Sequence, residues 1–156
     1  MRVSIIAVGR LRNGPEATLY NDYLKRFDQT GRPLGLGPAT LVEVEDKRKR
    51  GAAAESELLL NAAPSGACLI AMDERGKTPD SRAFAKMLAD LRDQGRRDCA
   101  FLIGGADGHD AVLRSRVDRM LSFGSMVWPH MLVRVMLAEQ LYRASSILAG
   151  APYHRD

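Results

Sequence analysis

Cysteine is scarce in this sequence: only Cys68 and Cys99 occur among 156 residues, and histidine occurs only three times. No Cys/His spacing of the zinc type can be drawn from so few ligands, so no metal site is expected. Each cysteine stands at the start of an apolar run, and both read as small buried hydrophobes in strands. No signal peptide precedes Met1, so a reducing cytoplasm is expected and a disulfide is not. No apolar stretch approaches the ~20 residues of a membrane-spanning helix, and no membrane partner is expected. An RNP aromatic motif, a GXXG loop inside a helical pattern and a basic zipper are all missing, which excludes a separate nucleic-acid-binding module of those kinds. Internal repeats and low-complexity segments are missing too.

What remains is an ordinary globular composition, 46% hydrophobic and 27% charged, at a length that fits one domain over residues 1–156. The net charge of +4 and a pI near 9.3 lean mildly toward an anionic partner.

Strand and helix signals alternate. Val3–Val8, closed by Gly9, is β-branched and apolar enough to be buried on both faces, as in a parallel sheet. Pro15–Phe27 repeats Leu19, Tyr20, Tyr23, Leu24 and Phe27 at helical spacing, with Lys25 and Arg26 on its exposed side. Gly31–Pro38 is rich in glycine and proline and reads as a loop. Thr40–Val44 is a second strand, Ala52–Ala63 a helix, and Ala67–Met72 a third strand ending at Asp73-Glu74-Arg75-Gly76-Lys77. Ser81–Arg92 is a helix capped by Asp80 or Ser81. Cys99–Ile103 is a fourth strand, Asp110–Met120 a helix or two short turns, and Gly124–Val127 a fifth strand. Leu132–Leu148 is a long final helix, followed by a short tail, Ala151–Asp156. The alternation predicts an α/β fold with a mainly parallel sheet flanked by helices.

The stretch Phe101–His130 carries the strongest functional signal. An apolar run, Phe101-Leu102-Ile103, breaks on Gly104-Gly105, and paired glycines at a strand end permit positive φ and close approach of a ligand to bare backbone. A second run ends on Pro129-His130. Ligands of open parallel sheets sit outside the carboxyl ends of strands, so both corners are expected to line one pocket. This is neither a GxGxxG dinucleotide fingerprint nor a Walker motif, since the glycine spacing and the GK[ST] are missing. His130, at a helix N-terminus, either fixes the helix start or meets a ligand, with its basicity depressed by the helix dipole. Glu139 and Arg143 stand at i, i+4 in a helix apolar nearly all round, which is either a helix salt bridge or a buried pair needing partners. Tyr153-His154-Arg155 is either a frayed tail or the rim of a site. Lys47-Arg48-Lys49-Arg50 is either a solvated mobile loop or a phosphate-contacting arm.

These residues together resemble a known family. LIGG…G, a short apolar run ending in Pro-His, LVRVMLAEQLYRA and a terminal PYHRD resemble the RlmH family of ribosomal large-subunit methyltransferases, within the SPOUT superfamily. The early AVGR corner and the LIAMDERGK strand and turn extend the likeness over the whole chain. The resemblance implies a SPOUT-type α/β knot, its C-terminal part threaded as a trefoil. It implies S-adenosylmethionine as cofactor, a homodimer, and methylation at N3 of a pseudouridine in helix 69 of 23S rRNA on assembled ribosomes. By the same resemblance, Met72, Gly104 and Gly105 contact the cofactor, and Phe123, Gly124, Ser125, Met126, Val127 and Trp128 wrap it. His130, Arg134, Glu139, Arg143, Tyr153, His154 and Arg155 match positions gathered around the target base. Ala106-Asp107-Gly108 and Trp128 depart from the usual family residues.

From these assignments, His154 is the expected proton acceptor, with Glu139 the second choice. Lys47, Arg48, Lys49 and Arg50, with Lys25, Arg26 and Arg134, are the expected RNA contacts. Residue patterns without the resemblance leave three other readings open: a SPOUT enzyme acting on a tRNA ribose 2′-OH, a non-catalytic ribosome-associated binding protein, and a small-molecule enzyme of doubly wound fold.

Overall fold

A computed structural model describes residues 1–155. Five parallel strands form one sheet: β1 (Arg2–Val8), β2 (Ala39–Val44), β3 (Cys68–Lys77), β4 (Asp98–Ile103) and β5 (Arg119–Leu121), in the order β2-β1-β4-β3-β5. Among them run α1 (Pro15–Gly31), α2 (Ala52–Ala62), α3 (Ser81–Asp93), α4 (Ala111–Arg116) and α5 (His130–Leu148).

The two central strands explain the layering. Every residue of β4, and of β1 beyond Arg2, is buried. Alternate side chains therefore feed two cores. Val3, Ile5, Phe101 and Ile103 pack with Tyr20, Phe27, Leu88, Leu137 and Leu141 beneath α1, α3 and α5. Ile6, Leu102 and Ala100 pack with Leu59 and Leu113 beneath α2 and α4 on the other face. Cys68 and Cys99 sit side by side in the β3–β4 register, both buried and both free thiols. No helix among the described residues is long and apolar enough to cross a membrane.

Three expected boundaries are corrected. Helix α1 runs on to Gly31, where a 3₁₀ turn over Arg32–Leu34 takes over part of the expected loop. Strand β3 does not stop at Met72: it pairs with β5 over Ile70–Met72, loses register, and regains it where Lys77 meets Leu121. Gly76 makes that return possible, since a Cβ there would lie 2.5 Å from the Leu121 amide nitrogen.

The fifth strand is Arg119–Leu121, not Gly124–Val127. Its start is fixed by Asp118, whose amide donates to the Leu69 carbonyl at 2.9 Å and whose carboxylate accepts from the Leu69 amide at 2.8 Å. Past Leu121 the Ser122 amide is spent on the Lys77 carbonyl, and the run Ser125–Trp128 leaves the sheet as an exposed loop.

Candidate functional site

The carboxyl ends of β3, β4 and β5 open onto one cleft, closed on its fourth side by the start of α5. Strand β3 contributes Met72, Asp73 and Glu74; β4 and its loop contribute Ile103, Gly104, Gly105 and Gly108. The chain after β5 contributes Leu121 to Gly124, then Met126 and Trp128, and α5 contributes His130 and Val133. About 580 Å³ of non-protein space lies in the cleft, part of it open to solvent.

The structure therefore brings together Met72, Gly104, Gly105, Phe123, Gly124, Met126, Trp128 and His130. Ser125 and Val127 do not line the cleft; both are exposed, Val127 by 88%. Both strand-end corners reach the same cavity, but the glycine pair is there for another reason than expected. Neither Gly104 nor Gly105 has a positive φ. A Cβ on Gly104 would press on the Gly108 backbone at 3.0 Å, and one on Gly105 would meet Glu55 Oε2 at 2.7 Å. The pair lets the loop fold back on itself and on α2, with Gly108 N–H donating to the Gly105 carbonyl at 3.1 Å.

Beneath the loop lies His109, a residue that sequence reasoning missed. It is buried, with Nε2 3.2 Å from the Met72 carbonyl, and burial lowers its basicity. The signal that was available is a histidine directly after the strand-end glycine turn, where buried strand termini leave carbonyls to be satisfied.

His130 begins α5, with Pro129 as the N-cap residue. Burial and then the nearby Arg134 guanidinium lower its pKa. The sequence expectation assigned that depression to the helix dipole alone.

A second cluster forms on the far part of α5. Glu139 Oε1 accepts from Arg143 Nε at 2.9 Å, from Arg143 Nη2 at 2.5 Å and from the Tyr153 hydroxyl at 3.0 Å. Arg143 Nη1 reaches His154 Nδ1 at 3.3 Å, and its guanidinium lies 4.8 Å from the centre of the Tyr153 ring. Hydrogen bonding to Glu139 raises the pKa of Arg143; burial, then Glu139, raises that of Tyr153. Tyr153 and His154 are thus folded against α5 rather than frayed, while Arg155 is exposed. Asp156 lies outside the described residues.

His130 and Glu139 are nine positions apart on one helix, ~14 Å along its axis. Phe123 stands between the two places: it lines the cleft and also the groove that holds Glu139.

Arg134 is not on the surface. Its side chain is 0% exposed, and it donates to Glu43 Oε1 at 3.1 Å, to the Val8 carbonyl at 2.5 Å and to the Gly9 carbonyl at 2.8 Å. Expected as an RNA contact, it instead fastens the end of β1 to α5, because the two carbonyls that end the strand need a donor.

The basic loop is exposed from Lys47 to Arg50 and is organised by Asp46. That carboxylate accepts from the Arg48 amide at 3.2 Å, from Arg50 Nε at 3.3 Å and from the Arg50 amide. Burial opposes its charge, but these donors prevail and hold its pKa below the usual carboxylate range. On α1, Arg26 is paired with Asp22 at 2.8 Å. Among the described residues, no three or more His, Cys, Asp or Glu side chains are grouped so as to hold a metal ion.

Cleft and fold together define a class. The family model described as "Predicted SPOUT methyltransferase" matches residues 1–154, and the chain belongs to that family. A crystal structure of a probable methyltransferase from Bordetella pertussis Tohama I shares the fold, with a TM-score of 0.51 and 17% identity over 92% of this chain and 95% of that one.

Nearer relatives are more particular. A protein of Dinoroseobacter shibae is 65% identical over 155 residues, covering 99% of each chain; one of Paracoccus denitrificans is 62% identical over 156 residues, covering 100% of each. Both are named ribosomal RNA large subunit methyltransferase H.

Proposed function

We propose that this protein methylates N3 of a pseudouridine in helix 69 of 23S rRNA, on assembled ribosomes and as a homodimer. At the coarser level it is a SPOUT methyltransferase of large-subunit ribosomal RNA, with S-adenosylmethionine as cofactor. The cofactor site of this reading is the cleft between Met72, the Gly104–Gly108 loop and the Phe123–Trp128 segment, within a trefoil-knotted C-terminal part, as the family resemblance implies. The residues fit it. Met72, Ile103, Leu121, Phe123 and Trp128 give apolar walls for a flat ring, and the loop glycines leave backbone bare for polar contacts.

The cofactor supplies a methyl group already activated on a sulfonium centre. The chain must then align N3 with it and manage one proton. Alignment in a near-attack geometry carries a large share of the rate. Arg143 is the donor for the charge that develops on the uracil ring as its N3 proton leaves. His154 takes that proton. Arginine can only donate, so the imidazole Nδ1 beside Arg143 is the acceptor, and neutral His154 carries its hydrogen on Nε2. Proton uptake at Nδ1 then accompanies a turn of Arg143 from His154 to the substrate.

The observation that carries this reading is the separation of His130 from the Glu139–Arg143–Tyr153–His154 cluster along α5. One chain supplies a cofactor cleft at one end of the helix and a polar cluster toward the other. A second copy brings its tail cluster to the cleft of the first. The apolar residues left in the open near the cleft, Met126, Val127, Trp128 and Leu132, support such pairing.

Methyl transfer from labelled S-adenosylmethionine to intact ribosomes, free 23S RNA and tRNA tests the proposal, with the product nucleoside mapped by mass spectrometry. Label at N3 of a helix 69 pseudouridine, on ribosomes only, is the expected result. Label on a tRNA ribose would overturn the substrate assignment. Cofactor binding with no label anywhere would make the protein a binding factor.

A further inference from the structure

Helix α2 begins one residue after the basic loop, and two successive side chains of its first turns hold the loop of the cofactor cleft. The Ser56 hydroxyl, almost wholly buried, accepts from the Asp110 amide at 3.1 Å. Glu55 lies across Gly105, so close that a Cβ there would stand 2.7 Å from Oε2 and 3.2 Å from Oε1. That Oε2 is enclosed and has no hydrogen-bond partner. A carboxylate in the first turn of a helix is ordinarily left in water, where the helix dipole favours it at little cost. Enclosing one of its oxygens beside a glycine is unfavourable by contrast, and burial, then Asp107 and Asp46, raises its pKa, while the Gly105 amide favours the anion.

Gly105 also closes the loop against Gly108. Its carbonyl receives the Gly108 amide at 3.1 Å, and Gly104, Gly105 and Gly108 all line the cleft. A group that fixes Gly105 from behind therefore fixes the cleft wall. We infer that Glu55 is a positioning residue for S-adenosylmethionine: its carboxylate, set against Gly105 from α2, holds the Gly104–Gly108 loop in the shape that receives the cofactor. This rests on the cleft being the cofactor site. It assigns a task to a residue that touches no substrate, and it explains why Gly105 has no side chain although its φ would allow one.

The test compares S-adenosylmethionine affinity by calorimetry, and kcat and KM on ribosomes, for Glu55→Ala, Glu55→Gln, Gly105→Ala and the double variant Glu55→Ala/Gly105→Ala. Losing one charged acceptor against the loop is expected to weaken cofactor binding about tenfold in Glu55→Ala, with kcat at saturating cofactor within about twofold. Glutamine keeps an oxygen toward the Gly105 amide and should recover to within about threefold. The added methyl of Gly105→Ala displaces the same carboxylate, so the double variant should be no worse than either single one. Wild-type affinity in Glu55→Ala, equal damage in Glu55→Gln, or additive losses in the double variant would each overturn the inference. Should Glu55→Ala fail to fold, wild-type affinity in Gly105→Ala overturns it equally. Val133→Trp, which fills the cleft, is the control for the site itself. If it leaves binding intact, the cofactor lies elsewhere; if it abolishes binding while the Glu55 variants bind normally, only the role of Glu55 falls.

Discussion

Arg143 reaches Nδ1 of His154 at 3.3 Å, across eleven positions of sequence, while the same guanidinium is held by Glu139. The contact sets the tautomer of the histidine and ties the tail to α5. It joins the proposed proton acceptor to the proposed charge stabiliser in one hydrogen-bonded group.

His154→Ala removes the acceptor and leaves the cleft untouched. Turnover on ribosomes should fall at least ~100-fold, the usual share of a general base, with cofactor affinity unchanged. Near-normal turnover across pH would remove His154 from this role.

A homodimer with shared sites predicts complementation. His130→Ala and His154→Ala should each be inactive alone. Co-expressed and randomly paired, they should regain ~25% of wild-type activity, since half the dimers are mixed and one of two sites in each is intact. No recovery in purified mixed dimers would place both residues in a site built by one chain.

Charge reversal at Lys47, Arg48 and Arg50 should weaken ribosome binding and flatten its salt dependence, without changing cofactor affinity. Their side chains are exposed, and Arg50 alone of the three is paired, with Asp46. A filter-binding series at several salt concentrations checks this, and equal losses for ribosome and cofactor would refute the division of labour.

Arg134→Ala would take the guanidinium from the Val8 and Gly9 carbonyls and from Glu43, which keeps the Leu11 amide. Unfolding in urea should show a loss of about 3 kcal/mol, from two carbonyls left without the guanidinium. A loss under ~1 kcal/mol would mean that water replaces the guanidinium, contrary to its complete enclosure.

Asp98 gives a signed pH prediction. The Arg2 guanidinium, bonded at 2.7 and 2.8 Å, is the chief cause holding its carboxyl below the usual range. A carboxylate depressed in the folded state adds stability that is present above its unfolded pKa, ~3.9, and is lost as pH falls through the lower folded value. Wild type should therefore exceed Asp98→Asn in thermal midpoint at pH 7, with the gap closing only in strong acid. A gap that widened on acidification would contradict the sign.

The sheet was legible where burial is two-sided. β1 is apolar from Val3 to Val8 except at Ser4, and β4 from Cys99 to Ile103, as strands buried on both faces require. β5 was not legible, because a three-residue strand has no period to read; its place is set by Asp118 bonding to Leu69, a contact across 49 positions. The expected strand Gly124–Val127 has apolar side chains in Met126 and Val127, but among the described residues its backbone pairs with no strand. Likewise the residue types at Gly104, Gly105 and His130 pointed to the cleft, whereas Glu55 gave no sign and His109 only its place after a glycine turn. Their importance comes from what faces them in three dimensions. Arg134 misled for the same reason: a guanidinium in sequence says nothing of whether carbonyls or phosphates await it.

Helix α5 acts as a ruler. His130, Arg134, Glu139 and Arg143 share one rigid rod, so the distance from cleft to tail cluster is counted in residues rather than set by flexible chain. A single inserted residue between His130 and Glu139 would turn everything beyond it by ~100° and advance it ~1.5 Å. Placed beyond Arg134, the insertion would leave that residue's grip on β1 while the tail cluster swung to another face. A substitution along this helix acts at its own position, but a change in its length moves the whole tail cluster at once.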